Sequence, residues 1–259
     1  MIRREYLIEA FGLGMFMISA CVCVALLEHP ISPLHGWIPS ADLRRAMIGV
    51  AMGLTAAALI YSPWGKRSGA HLNPAVTLTF FRLGKVAPRD LWGYVLAQFA
   101  GGTIGLALAA LVLGEWAAHP TVQHVTTKPA GTPLLAFGAE LLISGLMMTV
   151  VLHVSNRPRL APYTGWCAAA CVAIFITLEA PISGMSMNPA RTFASFTHAG
   201  GWSDYWIYLL APPLGMLGAA ELYRVTSRLG VACAKMRHVD GIPCLFCDYQ
   251  HRPRKISKK

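Results

Sequence analysis

Residues 68–77 read SGAHLNPAVT, and residues 183–192 read SGMSMNPART. Both stretches follow the pattern Ser-Gly-x-x-x-Asn-Pro-Ala-x-Thr, with one copy in each half of the 259-residue chain. The flanking sequences also correspond, because an apolar stretch with one glutamate precedes each copy, at Glu9 and Glu140. The chain is therefore an internal repeat, and the repeat has to be interpreted before any single motif.

On either side of the two motif copies, the chain contains six apolar segments. Each is close in length to the roughly 20 residues needed to cross a bilayer. Charged residues make up only 13% of the chain, against about 25% in soluble domains. The first segment carries Glu9 and lacks a small-x-small cleavage site, so we expect a retained membrane helix and not a removed signal. The six segments are residues 6–27, 44–61, 90–113, 133–153, 162–180 and 204–225.

Three segments in each half force the two halves into opposite orientations in the membrane. This is the inverted-repeat arrangement, which places the functional site near the bilayer midplane. We therefore predict an all-α membrane protein with six transmembrane helices and two re-entrant half-helices. Its channel domain is residues 1–226, with repeats at about 5–113 and 133–226, and residues 227–259 form a basic tail.

The net charge of +10 is explained by topology and requires no nucleic-acid partner. Of the 22 lysines and arginines, all but Arg44, Arg45, Lys128 and Arg191 fall on the side of the termini. Basic residues concentrate on the cytoplasmic side of membrane proteins and there contact anionic lipid. We expect an integral protein of a plasma membrane or bacterial inner membrane, with membrane lipid as a partner and both termini cytoplasmic.

Each repeated loop combines a helix cap with a helix start. Proline suits the first position of a helix, and asparagine before it caps the free backbone N–H groups. Two short helices entering from opposite faces would meet with their positive ends together, which admits water or a small neutral solute and repels protons and ions. The predicted pore residues are Asn73, Pro74, Ala75, Asn188, Pro189 and Ala190, and Arg191 adds a full positive charge.

In its paired Asn-Pro-Ala motifs and opposed repeats, the chain ahead of the tail resembles the aquaporin, or major intrinsic protein, family. The resemblance implies a six-helix bundle assembled as a homotetramer with one pore in each subunit. It implies that Asn73 and Asn188 face the pore at its midpoint and that Arg191 lines the outer constriction. It also implies that Glu9 and Glu140 hold the loop backbones.

The resemblance leaves the remaining filter positions open. Water-specific members of the family place an aromatic residue and a histidine beside the arginine, and neither is found here. Counting from the two loops gives as filter positions Met52 or Gly53, Ile176 or Thr177, and Met185. With Gly53 at the filter, the constriction would be wide.

The permeant therefore has two interpretations. One is a passive channel for water and small neutral solutes. The other is a wide channel for glycerol, urea or metalloid acids, since residues 181–187 look closer to plant nodulin-like members. Glycerol channels, however, usually carry aspartate where this chain has Thr192.

Other functional classes fit the sequence poorly. A secondary transporter needs titratable groups at the midplane, and beyond Glu9 and Glu140 the helices offer almost none. No His-x-x-His cluster, Ser/His/Asp arrangement or phosphate-binding glycine loop occurs, so we do not expect an enzyme. His71 either lines the inner vestibule of the pore or is a packed, hydrogen-bonded histidine.

The tail contains the one pattern that the channel does not explain. His238, Cys244, Cys247 and His251 offer four ligands for a tetrahedral zinc ion. The alternative is a basic tail that is disordered or touches lipid. We expect no cofactor other than this zinc.

Overall fold

The computed structural model describes residues 3–227, 229–239, 241–242 and 244–247. This part of the chain is helical and contains no strand. Its main helices, numbered in chain order, are α1 (Arg4–Glu28), α2 (Ala41–Tyr61), α3 (Pro74–Arg82), α4 (Pro88–Leu113), α5 (Pro133–Ser155), α6 (Thr164–Leu178), α7 (Pro189–Ala199) and α8 (Tyr205–Thr226).

Short helical segments connect the main helices. They are Pro33–Trp37, Pro63–Ser68, Glu115–Ala118 and Ala180–Ser183, with 3₁₀ turns at Gln123–Val125, Ala161–Tyr163 and Trp202–Asp204.

Helices α3 and α7 are the two half-helices that the repeated loops predict. Each begins with the proline of its repeat, and each is capped by the preceding asparagine, whose side chain accepts a backbone N–H of the first turn. They contain 9 and 11 residues, which at 1.5 Å per residue is about 14 and 17 Å. That is about half of the roughly 30 Å hydrocarbon thickness, so neither can span a bilayer.

Within the described residues, five helical segments are long and apolar enough to cross a membrane. They are α1, α2, α4, α5 and the segment 161–178 that contains α6. Helix α8 is not among them and carries Pro212 and Pro213 in its interior. It nevertheless packs along α5 in the way that α4 packs along α1, which gives each half the same three-helix plan.

Glycines allow the paired helices to approach closely. A Cβ on Gly101 of α4 would lie 2.0 Å from the carbonyl oxygen of Ala10 in α1. In the second half, a Cβ on Gly215 of α8 would lie 2.2 Å from the carbonyl oxygen of Leu141 in α5. Small residues at such contacts let helix backbones pack against each other where lipid gives no hydrophobic driving force.

Ion pairs join elements at the two ends of the bundle. Near the start of α1, Glu5 pairs with Arg67 at 3.0 Å. We call this end the tail face, because the described residues after α8 contact the channel domain here. At the opposite face, Glu28 at the end of α1 pairs with Arg44 at 3.0 Å.

We predict that Gly101→Ala destabilises the bundle, because its Cβ has no room beside the α1 backbone. Overpacking of this kind costs about 1–3 kcal/mol. The matched control is Gly218→Ala in α8, where a Cβ would meet nothing within 4 Å. Thermal unfolding in detergent should show a lower Tm for Gly101→Ala and an equal or higher Tm for Gly218→Ala. Equal Tm values for Gly101→Ala and the natural chain would contradict this packing.

Candidate functional site: two opposed loops and the cavity between them

The two repeated loops have the same unusual backbone. In each, φ is positive at the second, third and fifth residues of the repeat. These are Gly69, Ala70 and Leu72 in the first loop, and Gly184, Met185 and Met187 in the second. Residues other than glycine rarely adopt such angles, at a cost of about 1–3 kcal/mol each. Contacts elsewhere in the structure must therefore hold this conformation.

Buried Glu9 provides those contacts for the first loop. One carboxylate oxygen accepts the Ser68 hydroxyl at 2.7 Å and the His71 N–H at 3.1 Å. The other accepts the Leu72 N–H at 2.6 Å and the Gln98 amide at 2.8 Å. Because both oxygens are occupied, the carboxylate acts as a fixed acceptor for the loop.

Glu140 provides the same contacts in the second half. One oxygen accepts the Ser183 hydroxyl at 2.8 Å and the Ser186 N–H at 2.6 Å, and the other accepts the Met187 N–H at 2.7 Å. Glu140 is fully buried, as is Glu9. The structure thus places both glutamates in contact with the loop that each was expected to hold.

A tyrosine adds a second anchor to each loop. Tyr94 of α4 donates to the Ser68 carbonyl at 2.6 Å, and Tyr208 of α8 donates to the Ser183 carbonyl. Sequence reasoning missed both roles. The signal was present, since each tyrosine stands four residues after the aspartate that opens the last segment of its half, Asp90 or Asp204.

The two asparagines hydrogen-bond across the interface of the halves. Nδ2 of Asn73 donates to the carbonyl oxygen of Met187 at 2.7 Å. Reciprocally, Nδ2 of Asn188 donates to the carbonyl oxygen of Leu72 at 2.8 Å. An amide nitrogen has two N–H donors. One donor of each asparagine therefore joins the halves, and the second is left for another acceptor.

A cavity of about 140 Å³ lies between the loops and is bordered by both asparagines. A second cavity of about 500 Å³ lies toward the opposite face. Four residues line both cavities and so mark the boundary between them: Met52, Ile176, Met185 and Arg191.

The open filter positions differ in whether they border these cavities. Met52 and Ile176 border the cavities, whereas Gly53 and Thr177 do not. A Cβ on Gly53 would lie 2.6 Å from the carbonyl oxygen of Ala169, so Gly53 belongs to the contact of α2 with α6. Gly53 therefore packs between two helices and borders neither cavity.

Arg191 is the only one of the four boundary residues that carries a charge. Its backbone N–H donates to Oδ1 of Asn188 at 3.3 Å, which fixes it at the start of α7. Its side-chain nitrogen Nη1 is buried and has no hydrogen-bond partner among the residues that the structure describes.

His71 is both packed and at the cavity wall. It lines the smaller cavity, and its Nδ1 hydrogen-bonds the Thr77 hydroxyl at 3.1 Å. Its Nε2 donates to the carbonyl oxygen of Ala234, a tail residue, at 2.6 Å. The ring of Phe246, also from the tail, stacks on it with centroids 5.3 Å apart.

The described part of the tail therefore contacts the channel domain. It contains a cluster of ligand-type side chains, Cys233, His238, Cys244 and Cys247, whose ligand atoms all lie within 4.8 Å of one another. Hydrogen bonding with Cys233 lowers the pKa of the Cys244 thiol. Three members were predicted from the sequence, Cys233 was not, and His251 lies outside the described residues.

Comparison with known proteins agrees with this geometry. The Oryza sativa subsp. japonica protein Aquaporin NIP1-3 is 34% identical over 223 residues, covering 86% of this chain and 73% of that protein. Aquaporin NIP1-1 from Arabidopsis thaliana is 33% identical over 180 residues, covering 68% of this chain and 60% of that protein. The X-ray structure of the aquaglyceroporin from Plasmodium falciparum has the same fold, with a TM-score of 0.73 at 19% identity, covering 86% of this chain and 96% of that one.

A family model described as major intrinsic protein matches residues 1–223, which is almost everything ahead of the tail. Together with the opposed half-helices and their matched anchors, this match shows that the chain belongs to the major intrinsic protein family, whose members are membrane channels and not enzymes.

Proposed function

We propose that the chain is a passive channel for water and small neutral solutes, and that the permeant passes between the two Asn-Pro-Ala loops. The observation that supports this best is that Asn73 and Asn188, from opposite halves, border one cavity. Each has one amide N–H left after its bond across the interface. A permeant oxygen there would accept two hydrogen bonds from fixed donors.

The same arrangement disfavours ions. The amino end of a helix carries about half a positive charge, and α3 and α7 both begin at this cavity with their capping asparagines. Arg191 adds a full charge at the boundary between the cavities. A cation or proton would meet positive potential from both half-helices and from the arginine, whereas a neutral solute would not.

The boundary residues support passage of solutes other than water. Met52, Ile176 and Met185 present apolar surface around the one guanidinium group. A mixed surface of this kind fits a small molecule with hydroxyl or amide groups on a carbon skeleton. The names of the relatives, aquaporins and an aquaglyceroporin, are consistent with either permeant.

We extend the proposal to the assembly and its orientation. The excess of lysine and arginine near the termini supports a cytoplasmic tail face, in a plasma membrane or bacterial inner membrane. Membership of the family supports a homotetramer with one pore in each subunit.

A secondary transporter is disfavoured by the contacts of the buried acids. Both oxygens of Glu9 and both oxygens of Glu140 accept hydrogen bonds from their loops. In Glu9 each oxygen accepts two hydrogen bonds, and in Glu140 one oxygen accepts two and the other accepts one. Their role in the proposal is structural.

Stopped-flow light scattering on proteoliposomes tests the proposal with water, glycerol and urea as permeants. The natural chain is measured beside the variant Met236→Gly. Met236 is a tail residue that lines the smaller cavity, so the variant removes a side chain from the proposed path of the permeant. We expect non-saturating flux with a low activation energy. Saturation at low solute concentration, or flux that depends on an ion gradient, would contradict a channel.

We predict that Arg191→Val raises proton leak several-fold, because the charge at the boundary is lost. The control is Arg45→Val, which removes a charge that lines only the larger cavity. Leak is measured with a pH-sensitive dye inside proteoliposomes under an imposed potential. If both variants leak as little as the natural chain, Arg191 does not form the barrier.

We also predict that Met52→Phe lowers glycerol flux several-fold more than water flux, because a larger rigid ring narrows the boundary. Leu54→Phe is the matched control, since Leu54 is on the same helix but 54% exposed on the outside of the bundle. The ratio of glycerol to water permeability decides the result. An unchanged ratio for Met52→Phe would place the selective constriction elsewhere.

A further inference from the structure

The tail crosses the tail-face mouth of the smaller cavity. Its path begins where the Ala232 N–H donates to Oδ1 of Asn156, the residue after α5, at 2.7 Å. Next, the Met236 N–H donates to the Gly69 carbonyl oxygen in the first loop at 3.0 Å. Met236 itself lines the cavity together with Asn73. The tail thus contacts both halves of the channel and places a side chain at the pore.

The contact between tail and loop is close and largely dry. Ala234 and Met236 are buried, and Phe246 is 1% exposed. A Cβ added to Gly69 would lie 3.0 Å from the Phe246 ring, so the aromatic side chain packs directly on the loop backbone. No helix of the bundle and no strand includes the described residues after Thr226, so side-chain contacts within the tail have to supply its fold. Something must fold the tail back on itself.

The side-chain cluster of Cys233, His238, Cys244 and Cys247 joins the parts of the tail that fold back on each other. The Sγ atoms of Cys233 and Cys244 are 3.5 Å apart, and those of Cys247 and Cys233 are 3.6 Å apart. Nε2 of His238 is 3.3 Å from Sγ of Cys247. A disulfide needs about 2.05 Å, so these cysteines are not paired as disulfides.

These distances suit four ligands around one zinc ion. Zn–S bonds of about 2.3 Å and Zn–N bonds of about 2.0–2.1 Å in a tetrahedron separate the ligand atoms by about 3.6–3.8 Å. Three thiolates with one imidazole form a known type of structural zinc site. Soft sulfur ligands in this geometry exclude magnesium and calcium.

The surroundings of the cluster support a bound metal. The backbone N–H of Cys247 donates to Sγ of Cys244 at 3.5 Å, and that of Lys235 donates to Sγ of Cys233. Hydrogen bonds of this kind orient metal ligands. Zinc with three thiolates and a neutral histidine has a net charge of −1. The buried ammonium group of Lys235, whose charge acts on Cys244, offsets it.

We propose that Cys233, His238, Cys244 and Cys247 bind Zn²⁺ and that this ion holds the tail across the pore mouth, so that loss of zinc opens the channel. The gating part of this proposal rests on the proposed channel function, and the metal site does not. The ligand is a divalent zinc ion supplied from the side of the membrane that the tail faces.

Metal content tests the site directly. Full-length protein purified under reducing conditions is analysed by mass spectrometry for bound metals. We expect about one zinc per chain, loss of most of it in Cys244→Ser, and no loss in the matched variant Cys167→Ser, whose cysteine lies in α6. Absence of stoichiometric zinc from the natural chain, or equal zinc in Cys244→Ser, would overturn the site.

Flux tests the gate. In reducing buffer, a membrane-permeant zinc chelator should raise the water or glycerol flux of the natural chain several-fold, and added zinc should reverse the rise. Met236→Gly keeps the four ligands, so it should bind zinc yet conduct strongly with or without the chelator. Bound zinc with flux that neither the chelator nor Met236→Gly changes would overturn the gate. If no form of the protein conducts, the channel function fails, and the metal analysis still decides the site.

Discussion

Two buried carboxylates hold the two repeated loops in a backbone conformation that the loops would not keep alone. Glu9 and Glu140 each accept one backbone N–H from a positive-φ residue and one from the residue before it. Fully buried charge is costly unless it is hydrogen-bonded, and strained backbone persists only where its surroundings determine it. The hydrogen bonds between carboxylate and loop offset both the cost of the buried charge and the cost of the strained backbone, because the loop supplies the donors that the carboxylate needs.

The sequence predicted most of this framework, because the relevant signals are repeated. One Asn-Pro-Ala motif alone would indicate a helix start, but two in opposed halves indicate that the starts meet. Glutamates inside apolar helices are rare enough to suggest a role, and their repetition suggested the same role twice. The structure places Asn73, Asn188, Glu9 and Glu140 in this way.

Apart from Tyr94 and Tyr208, whose spacing does repeat, the features that the sequence did not predict lack such repetition. Met52 and Gly53 are neighbours on one helix, and only the packing of α2 against α6 shows which of them borders the cavity. Cys233 has no partner at a familiar spacing, so only the folded tail reveals its place beside Cys244. The burial of tail residues such as Ala234 and Phe246 could not be predicted either, because their contacts are with a loop far away in the sequence.

The reciprocal bonds of Asn73 and Asn188 have a consequence for biosynthesis. The acceptor of Asn73 is the carbonyl of Met187, which does not exist while the ribosome is still making the first half. Until Met187 has been synthesised, the Asn73 amide in the membrane-embedded first half lacks its final acceptor. The two halves therefore complete each other late, and the finished centre of the protein is a product of the whole chain and not of either repeat alone.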